Sequence, residues 1–81
     1  MKMNDAEWKR YAKNFLKAEL TRRDVGYEAL AEKLKDIGVD ETYHSINTKI
    51  NRGTFSFAFA LQCLNAVGAH ESVLLGSPNV K

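Results

Sequence analysis

Apolar residues recur at helical spacing near the start of the chain. They lie three or four positions apart from Trp8 to Leu20, which predicts an amphipathic helix with one apolar stripe. Asn4 and Glu7 stand three residues apart, as in a capping box, so we expect the helix to begin there and to run to about Arg23. The members of the stripe are Trp8, Tyr11, Ala12, Phe15, Leu16 and Leu20.

Three shorter periodic segments follow. The second helix is expected over about 27–37, where Gly38 ends it because glycine adopts a left-handed conformation without steric cost. The third helix ends at Gly53, and a fourth is expected over about 57–67. The candidate capping residues are Asp40 or Thr42 for the third helix and Thr54 or Ser56 for the fourth.

The predicted fold class is all-α, a compact four-helix domain with a short C-terminal tail. We place the domain over residues 1–70 and the tail over 71–81, where Val73, Leu74 and Leu75 precede a Gly-Ser-Pro-Asn breaker. The only cysteine, Cys63, is flanked by apolar residues and is expected in the core. Eighty-one residues suffice for one domain.

Composition bears on location and on partners. Although 44% of the residues are hydrophobic, no apolar run approaches the roughly 20 residues that a membrane span needs. The N-terminus also shows no apolar signal segment, so we expect a cytoplasmic protein. The net charge of +2 is unevenly distributed. Residues 1–23 carry seven basic and three acidic side chains, residues 24–41 carry two and six, and residues 42–70 carry two and none.

The order of these signals resembles the lambda-repressor-like helix-turn-helix domains of the Cro and xenobiotic-response-element class, over about residues 15–68. Leu30-Ala31 lies near the start of the second helix, Gly38-Val39 at the turn, and Ile50-Asn51-Arg52-Gly53 at the end of the third helix, ahead of the apolar segment from Leu61 to Gly68. The resemblance implies a bacterial DNA-binding transcriptional regulator of repressor type, with the third helix in the major groove and a homodimer on double-stranded DNA.

The chain is also similar to a sparsely characterised set of short bacterial domains of unknown function. The shared features are Lys49-Ile50 and Arg52-Gly53 at the end of the third helix and the Phe-rich segment that follows. The chain departs from the repressor pattern in two ways. Tyr27 stands where that family often has glutamine, and the 22 positions from Ala31 to Gly53 are roughly six more than the compact pattern has.

The polar side of the third helix is the predicted DNA-binding site, because short polar and basic groups suit base edges and phosphates. Basic residues of the first helix are possible phosphate contacts. The alternative for the third helix is a solvated or protein-contacting surface, and for the first helix it is an ordinary solvated surface. The DNA-binding candidates are Thr42, His44, Ser45, Thr48, Lys49 and Arg52, and the phosphate candidates are Lys9, Arg10, Lys13 and Lys17.

The fourth helix is apolar on more than one side, which favours a homodimer interface there. The alternative is that the first helix, with Trp8 and Phe15, covers these side chains. The predicted interface consists of Phe55, Phe57, Phe59, Leu61 and Leu64.

Catalytic chemistry is not expected, because His44 and His70 are the only histidines and no second Cys or His stands at zinc-ligand spacing. We expect neither an enzyme nor a metal or cofactor. The alternative function is a protein-interaction or dimerisation module that keeps the repressor-like scaffold without binding DNA.

Overall fold

Four α-helices make up the described part of the chain. The computed structural model describes residues 2–69, with α1 at Asp5–Arg22, α2 at Tyr27–Asp36, α3 at Tyr43–Arg52 and α4 at Phe57–Ala66. The all-α prediction and the positions of the four helices are therefore confirmed. The predicted tail, His70 and the Val73 to Leu75 segment lie outside the described residues.

The helix starts follow the capping signals in the sequence. Asn4 and Glu7 form the predicted capping box, with each side chain accepting from the other residue's backbone N–H. Between the candidates left open by the sequence, Thr42 caps α3 and Ser56 caps α4. Each hydroxyl satisfies one of the first-turn N–H groups that a helix cannot bond internally.

The helices pack in the cyclic order α1, α3, α2, α4 and back to α1. Among these four described helices, the backbones of α1 and α2 do not approach each other closely, and neither do those of α3 and α4. Each helix therefore has two closest neighbours, and all four contribute side chains to one core. The enclosed core contains Leu16, Leu20, Leu30, Leu34, Ile46, Ile50, Phe59, Cys63, Leu64 and Ala69.

A close contact joins the end of α3 to α1. A Cβ atom placed on Gly53 would lie 2.2 Å from the backbone oxygen of Lys9. Gly53 also has a φ of +66°, so both the turn and the close approach require glycine. This contact fixes the C-terminus of α3 against the N-terminal half of α1.

The buried side of α1 differs from the predicted stripe. Leu16 and Leu20 are buried as expected, but Trp8, Tyr11 and Phe15 are 51%, 56% and 41% exposed. The core instead takes in Glu19, which is 3% exposed and is paired with Arg22 and Arg23. The buried face is therefore rotated from the aromatic residues towards Glu19.

The predicted dimer interface on α4 has to be reduced by two residues. Phe59 and Leu64 are 4% and 3% exposed because both side chains fill the core. Phe55 and Leu61 are half-buried, whereas Phe57 is 68% exposed. Of the predicted interface, these last three residues are those that a partner can reach.

Candidate functional site

One side of α3 is polar and faces away from the core. Ile46 and Ile50 point inwards, so helical geometry places His44, Thr48 and Asn51 on the opposite side. We call His44, Asn47, Thr48, Asn51 and Arg52 the α3 polar face. It combines exposed His44, Asn51 and Arg52 with half-buried Asn47 and Thr48, and it contains no acidic residue.

Three of the predicted DNA-binding residues make contacts within the chain. The Thr42 hydroxyl accepts a hydrogen bond from the backbone N–H of Ser45 at 3.0 Å, and Ser45 Oγ donates to Glu41 Oε1 at 2.6 Å. Lys49 Nζ lies 2.5 Å from Glu41 Oε2. Thr42, Ser45 and Lys49 are thus held together around Glu41 at the edge of the α3 polar face.

Glu41 stays ionised in this arrangement. Burial alone would raise its pKa, but the hydrogen bonds from Lys49 and Ser45 and the positive charge of Lys49 outweigh burial and lower the pKa from 4.5. Lys49 Nζ also lies 5.0 Å from the centre of the Phe59 ring, within cation–π distance. The charge of Glu41 is therefore neutralised locally, and Lys49 is held towards α4.

A groove of about 830 Å³ separates α3 from the end of α1 and the start of α2. Lys17 lines its α1 side, and Asn47 and Asn51 line its α3 side. Tyr43, at the start of α3, lines the same groove as Leu20, whereas Gly53, just past the end of α3, abuts Lys9. The helix α3 therefore runs back along α1 in the opposite direction.

This direction brings Lys17 of α1 beside the α3 polar face. Arg10, Lys13 and Lys17 share one side of α1 by helical spacing, and we call them the α1 basic flank. Lys17 faces the groove, and Arg10 lies close in sequence to the contact with Gly53. Lys9, the fourth predicted phosphate contact, pairs with Asp5 at 2.9 Å.

The opposite wall of the groove carries negative charge. Glu28 and Glu32 of α2 line it, together with Tyr27. The hydroxyl of Tyr27 is buried and has no hydrogen-bond partner within residues 2–69. Burial, and to a lesser degree the nearby Tyr43, raises the pKa of Tyr27 from 10.0. Charge in the groove is thus divided, with the cation on α1 and the carboxylates on α2.

A second groove, of about 310 Å³, lies between the end of α3 and the start of α4. Thr48, Lys49 and Arg52 line it from α3, and Thr54 and Ser56 line it from the connecting segment. Three of the six predicted DNA-binding residues therefore surround one concavity. The two exposed charged side chains that line this groove, Lys49 and Arg52, are both cations.

Exposed aromatic side chains lie on the other side of α1 from the basic flank. Trp8 and Tyr11 are in contact, with ring centres 6.1 Å apart, and Phe15 follows one turn later. Helical spacing places these three residues roughly 160° around α1 from Arg10, Lys13 and Lys17. A partner bound to these rings would leave the basic flank accessible.

Within residues 2–69, no cluster of three or more His, Cys, Asp or Glu side chains is arranged to hold a metal ion. Cys63 is buried in the core, as the sequence predicts, and its desolvation raises the thiol pKa to about 12. None of the helices in this part of the chain has the length and apolar character needed to cross a bilayer.

Two features of the site are absent from the residues that the sequence predicts to bind DNA. Asn47 and Asn51 belong to the α3 polar face, and their spacing of four was the available signal. Glu41 is the second feature: its pairing with Lys49 spans eight positions and depends on how the loop before α3 folds.

Comparison with known proteins gives a family but no activity. The model of a family described as a domain of unknown function, DUF6471, matches residues 8–72. Because this match spans well over half of the chain, the protein belongs to the DUF6471 family. Comparisons with curated proteins and with solved structures each found no significant match.

Proposed function

We propose that this member of the DUF6471 family is a non-enzymatic DNA-binding regulator of repressor type that binds double-stranded DNA as a homodimer. One observation carries the proposal: Lys17 of the α1 basic flank and Asn47 and Asn51 of the α3 polar face line the same groove between the two helices. A polar helix can enter the major groove and contact base edges, while cations beside it contact phosphates. The repressor-like order of sequence signals supports the same function.

The distribution of acidic groups supports one orientation on DNA. Glu41 is neutralised by Lys49, so it does not repel phosphates at the start of α3. Glu28 and Glu32, in contrast, stand on the α2 wall of the groove. The phosphate backbone therefore approaches from the α1 side, where Arg10 and Lys13 lie, because like charges repel it on the α2 side.

The base-contacting residues in this proposal are a revised set. His44, Thr48 and Arg52 are retained from the sequence prediction because they project from the α3 polar face. Thr42, Ser45 and Lys49 contribute by holding the start of α3 and its loop in place. Asn47 and Asn51 join the contacting set.

A second copy of the chain is the proposed partner for the exposed rings. Repressor-type domains bind two half-sites about one helical turn apart as symmetric dimers, and a twofold interface uses the same surface on both chains. Trp8, Tyr11 and Phe57 expose more than half of their side chains, which is costly for a monomer of this size. Dimerisation through them leaves the α1 basic flank free for DNA.

The test of DNA binding is fluorescence anisotropy with a mixed-sequence duplex over a salt series. Affinity should fall steeply with salt, because each neutralised phosphate releases counterions and adds about 0.9 to the log–log slope. The variant Lys13→Ala/Lys17→Ala should flatten the slope by about 1 to 2. Lys33→Ala/Lys35→Ala, which removes the same charge from α2, is the matched control and should leave the slope unchanged.

Absence of binding even at about 20 mM salt would overturn the proposal, since phosphate contacts are strongest there. Equal effects of the two double variants would contradict the proposed orientation. The homodimer is tested separately by light scattering. A monomeric mass at high micromolar concentration would exclude the dimer, and Trp8→Ala/Tyr11→Ala should dissociate a dimer without unfolding the chain.

A second candidate function is protein binding without a DNA role. The observation that favours it is the number of large exposed side chains on α1 and α4, together with the acidic wall on α2. The same anisotropy series separates the two functions. A chain that dimerises but binds no duplex at low salt has the second function.

A further inference from the structure

Two asparagines on the α3 polar face are joined to each other. Asn51 Nδ2 donates a hydrogen bond to Asn47 Oδ1 at 2.8 Å, and the two residues stand one helical turn apart. Asn47 is half-buried and Asn51 is exposed, and both line the groove beside Lys17. Each amide thus restricts the orientation of the other at the edge of the surface that we place on DNA.

The linked pair keeps a specific set of hydrogen-bonding atoms. A bond between two amides uses one N–H and one oxygen, so an NH₂ group on one residue and a carbonyl oxygen on the other remain free to bind a ligand. The free groups are Nδ2 of Asn47 and Oδ1 of Asn51, and neither makes another hydrogen bond within residues 2–69. The pair therefore presents the NH₂ group of Asn47 and the carbonyl oxygen of Asn51 to a ligand, together with the second N–H of Asn51.

Helix stability does not account for two asparagines at these positions. Asn is a poor residue for a helix interior, because its amide competes with the backbone for hydrogen bonds. Asn47 lies in the middle of the ten-residue α3, and neither asparagine is the residue that caps it. Alanine at both positions would favour the helix more, so the amides are better explained by what they bind.

The donor and acceptor match one base. In the major groove adenine presents N7 as an acceptor beside the N6 amino donor, whereas guanine presents two acceptors, N7 and O6. One donor and one acceptor satisfy adenine fully, and they leave an acceptor facing an acceptor on guanine. Resting on the proposed DNA-binding function, we infer that Asn47 and Asn51 together recognise the adenine of an A·T base pair in the major groove.

The test begins with selection of bound duplexes from a pool with a randomised centre. Wild-type protein should enrich A·T at a fixed position, and substitution of that pair by G·C should weaken binding about 5- to 150-fold. Asn47→Ala and Asn51→Ala should lose this preference while keeping the salt-dependent binding to mixed-sequence DNA. Asn14→Ala, an exposed asparagine on α1, is the matched control and should keep the preference.

A second measurement addresses the atoms directly. Replacing the selected adenine by 7-deazaadenine removes the N7 acceptor and leaves base pairing intact. This change should weaken wild-type binding at least about 5-fold. The isosteric Asn47→Asp variant removes the donor without changing the size of the side chain, and its binding should not respond to the deaza substitution.

The outcomes separate this inference from the proposed function. If no form of the protein binds duplex DNA at low salt, the DNA-binding function fails and this inference fails with it. If the protein binds DNA with normal salt dependence but without an A·T preference, or keeps that preference in both alanine variants, only the inference is overturned.

Discussion

Glu41 and Lys49 form an ion pair that joins the loop before α3 to the middle of that helix. Their charged groups are 2.5 Å apart although eight residues separate them in sequence, and Ser45 donates to the second oxygen of the same carboxylate. The side chain of Glu41 is 11% exposed and that of Lys49 is 45% exposed. The pair therefore sets the position of the first turns of α3 relative to the loop.

The Glu41 pair makes stability depend on pH in acid. Because the folded-state pKa of Glu41 lies below its ordinary value, the unfolded chain takes up the proton first as pH falls. Its stabilising contribution is thus complete above about pH 4.5 and is lost as pH falls through the folded-state pKa. Urea unfolding should show that Glu41→Gln costs about 1 kcal/mol at pH 7 and clearly less at pH 3.

The control for this prediction is Glu28→Gln, at an exposed position on α2. It should change the free energy of unfolding by less than about 0.5 kcal/mol at pH 7. A Glu41→Gln cost that is the same at both pH values would contradict the assigned role of the ion pair.

The thiol of Cys63 should report unfolding. Its side chain is fully buried and its pKa is about 12, so a thiol reagent at pH 8 should react only when the chain opens. The unfolded thiol, with an ordinary pKa of 9.0, loses its proton first as pH rises, and the free energy of unfolding should fall above about pH 9. Cys63→Ala should reduce this fall between pH 9 and 10. Fast modification of the native protein would contradict the burial.

Gly53→Ala should be among the most destabilising single substitutions in the chain. The new Cβ would meet the backbone oxygen of Lys9 at 2.2 Å, and the residue would also hold a left-handed conformation. We expect a loss of about 3 kcal/mol or more by thermal or urea unfolding. Gly38→Ala is the matched control, because its φ is +82° but the space around its α-carbon is open. It should cost only about 1 to 2 kcal/mol, and equal costs would show that the Lys9 contact is unimportant.

Tyr27→Phe should be neutral or slightly stabilising. The buried hydroxyl of Tyr27 has no partner within residues 2–69, so its removal breaks no hydrogen bond there and relieves a desolvation cost. We expect a gain of up to about 1 kcal/mol in the free energy of unfolding. Tyr11→Phe, where the residue is 56% exposed, should change it by less than about 0.5 kcal/mol. A loss greater than about 1 kcal/mol for Tyr27→Phe would show that its hydroxyl has a partner.

Local signals in the sequence were enough to predict the helices. Capping at Asn4 and the glycines after α2 and α3 act within a few residues, so their effect can be predicted without the tertiary structure. The buried side of α1 could not be predicted in the same way. A periodicity argument counts Glu19 as polar and outward, but two arginines at the C-terminal end of α1 compensate its charge and allow it into the core.

In the candidate site, too, some features follow from local sequence and others depend on contacts between elements. The polar character of α3 follows from its sequence, and Thr48 and Arg52 lie on exposed or half-exposed positions as that character suggests. The engagement of Lys49 does not follow from the sequence, because it requires Glu41 from the loop and Phe59 from α4 to meet one side chain. Contacts between elements decide which predicted residues remain available to a ligand.

The cyclic order of packing also determines when the parts of the chain can assemble. Among the described helices, the closest neighbours of α1 are α3 and α4, so the first 18-residue helix lacks both until residues beyond Tyr43 have been synthesised. An isolated helix of this length is marginally stable in water. Pairing of α2 with α3 then closes only the short loop between them, whereas docking of α1 on α3 closes a longer loop that includes α2.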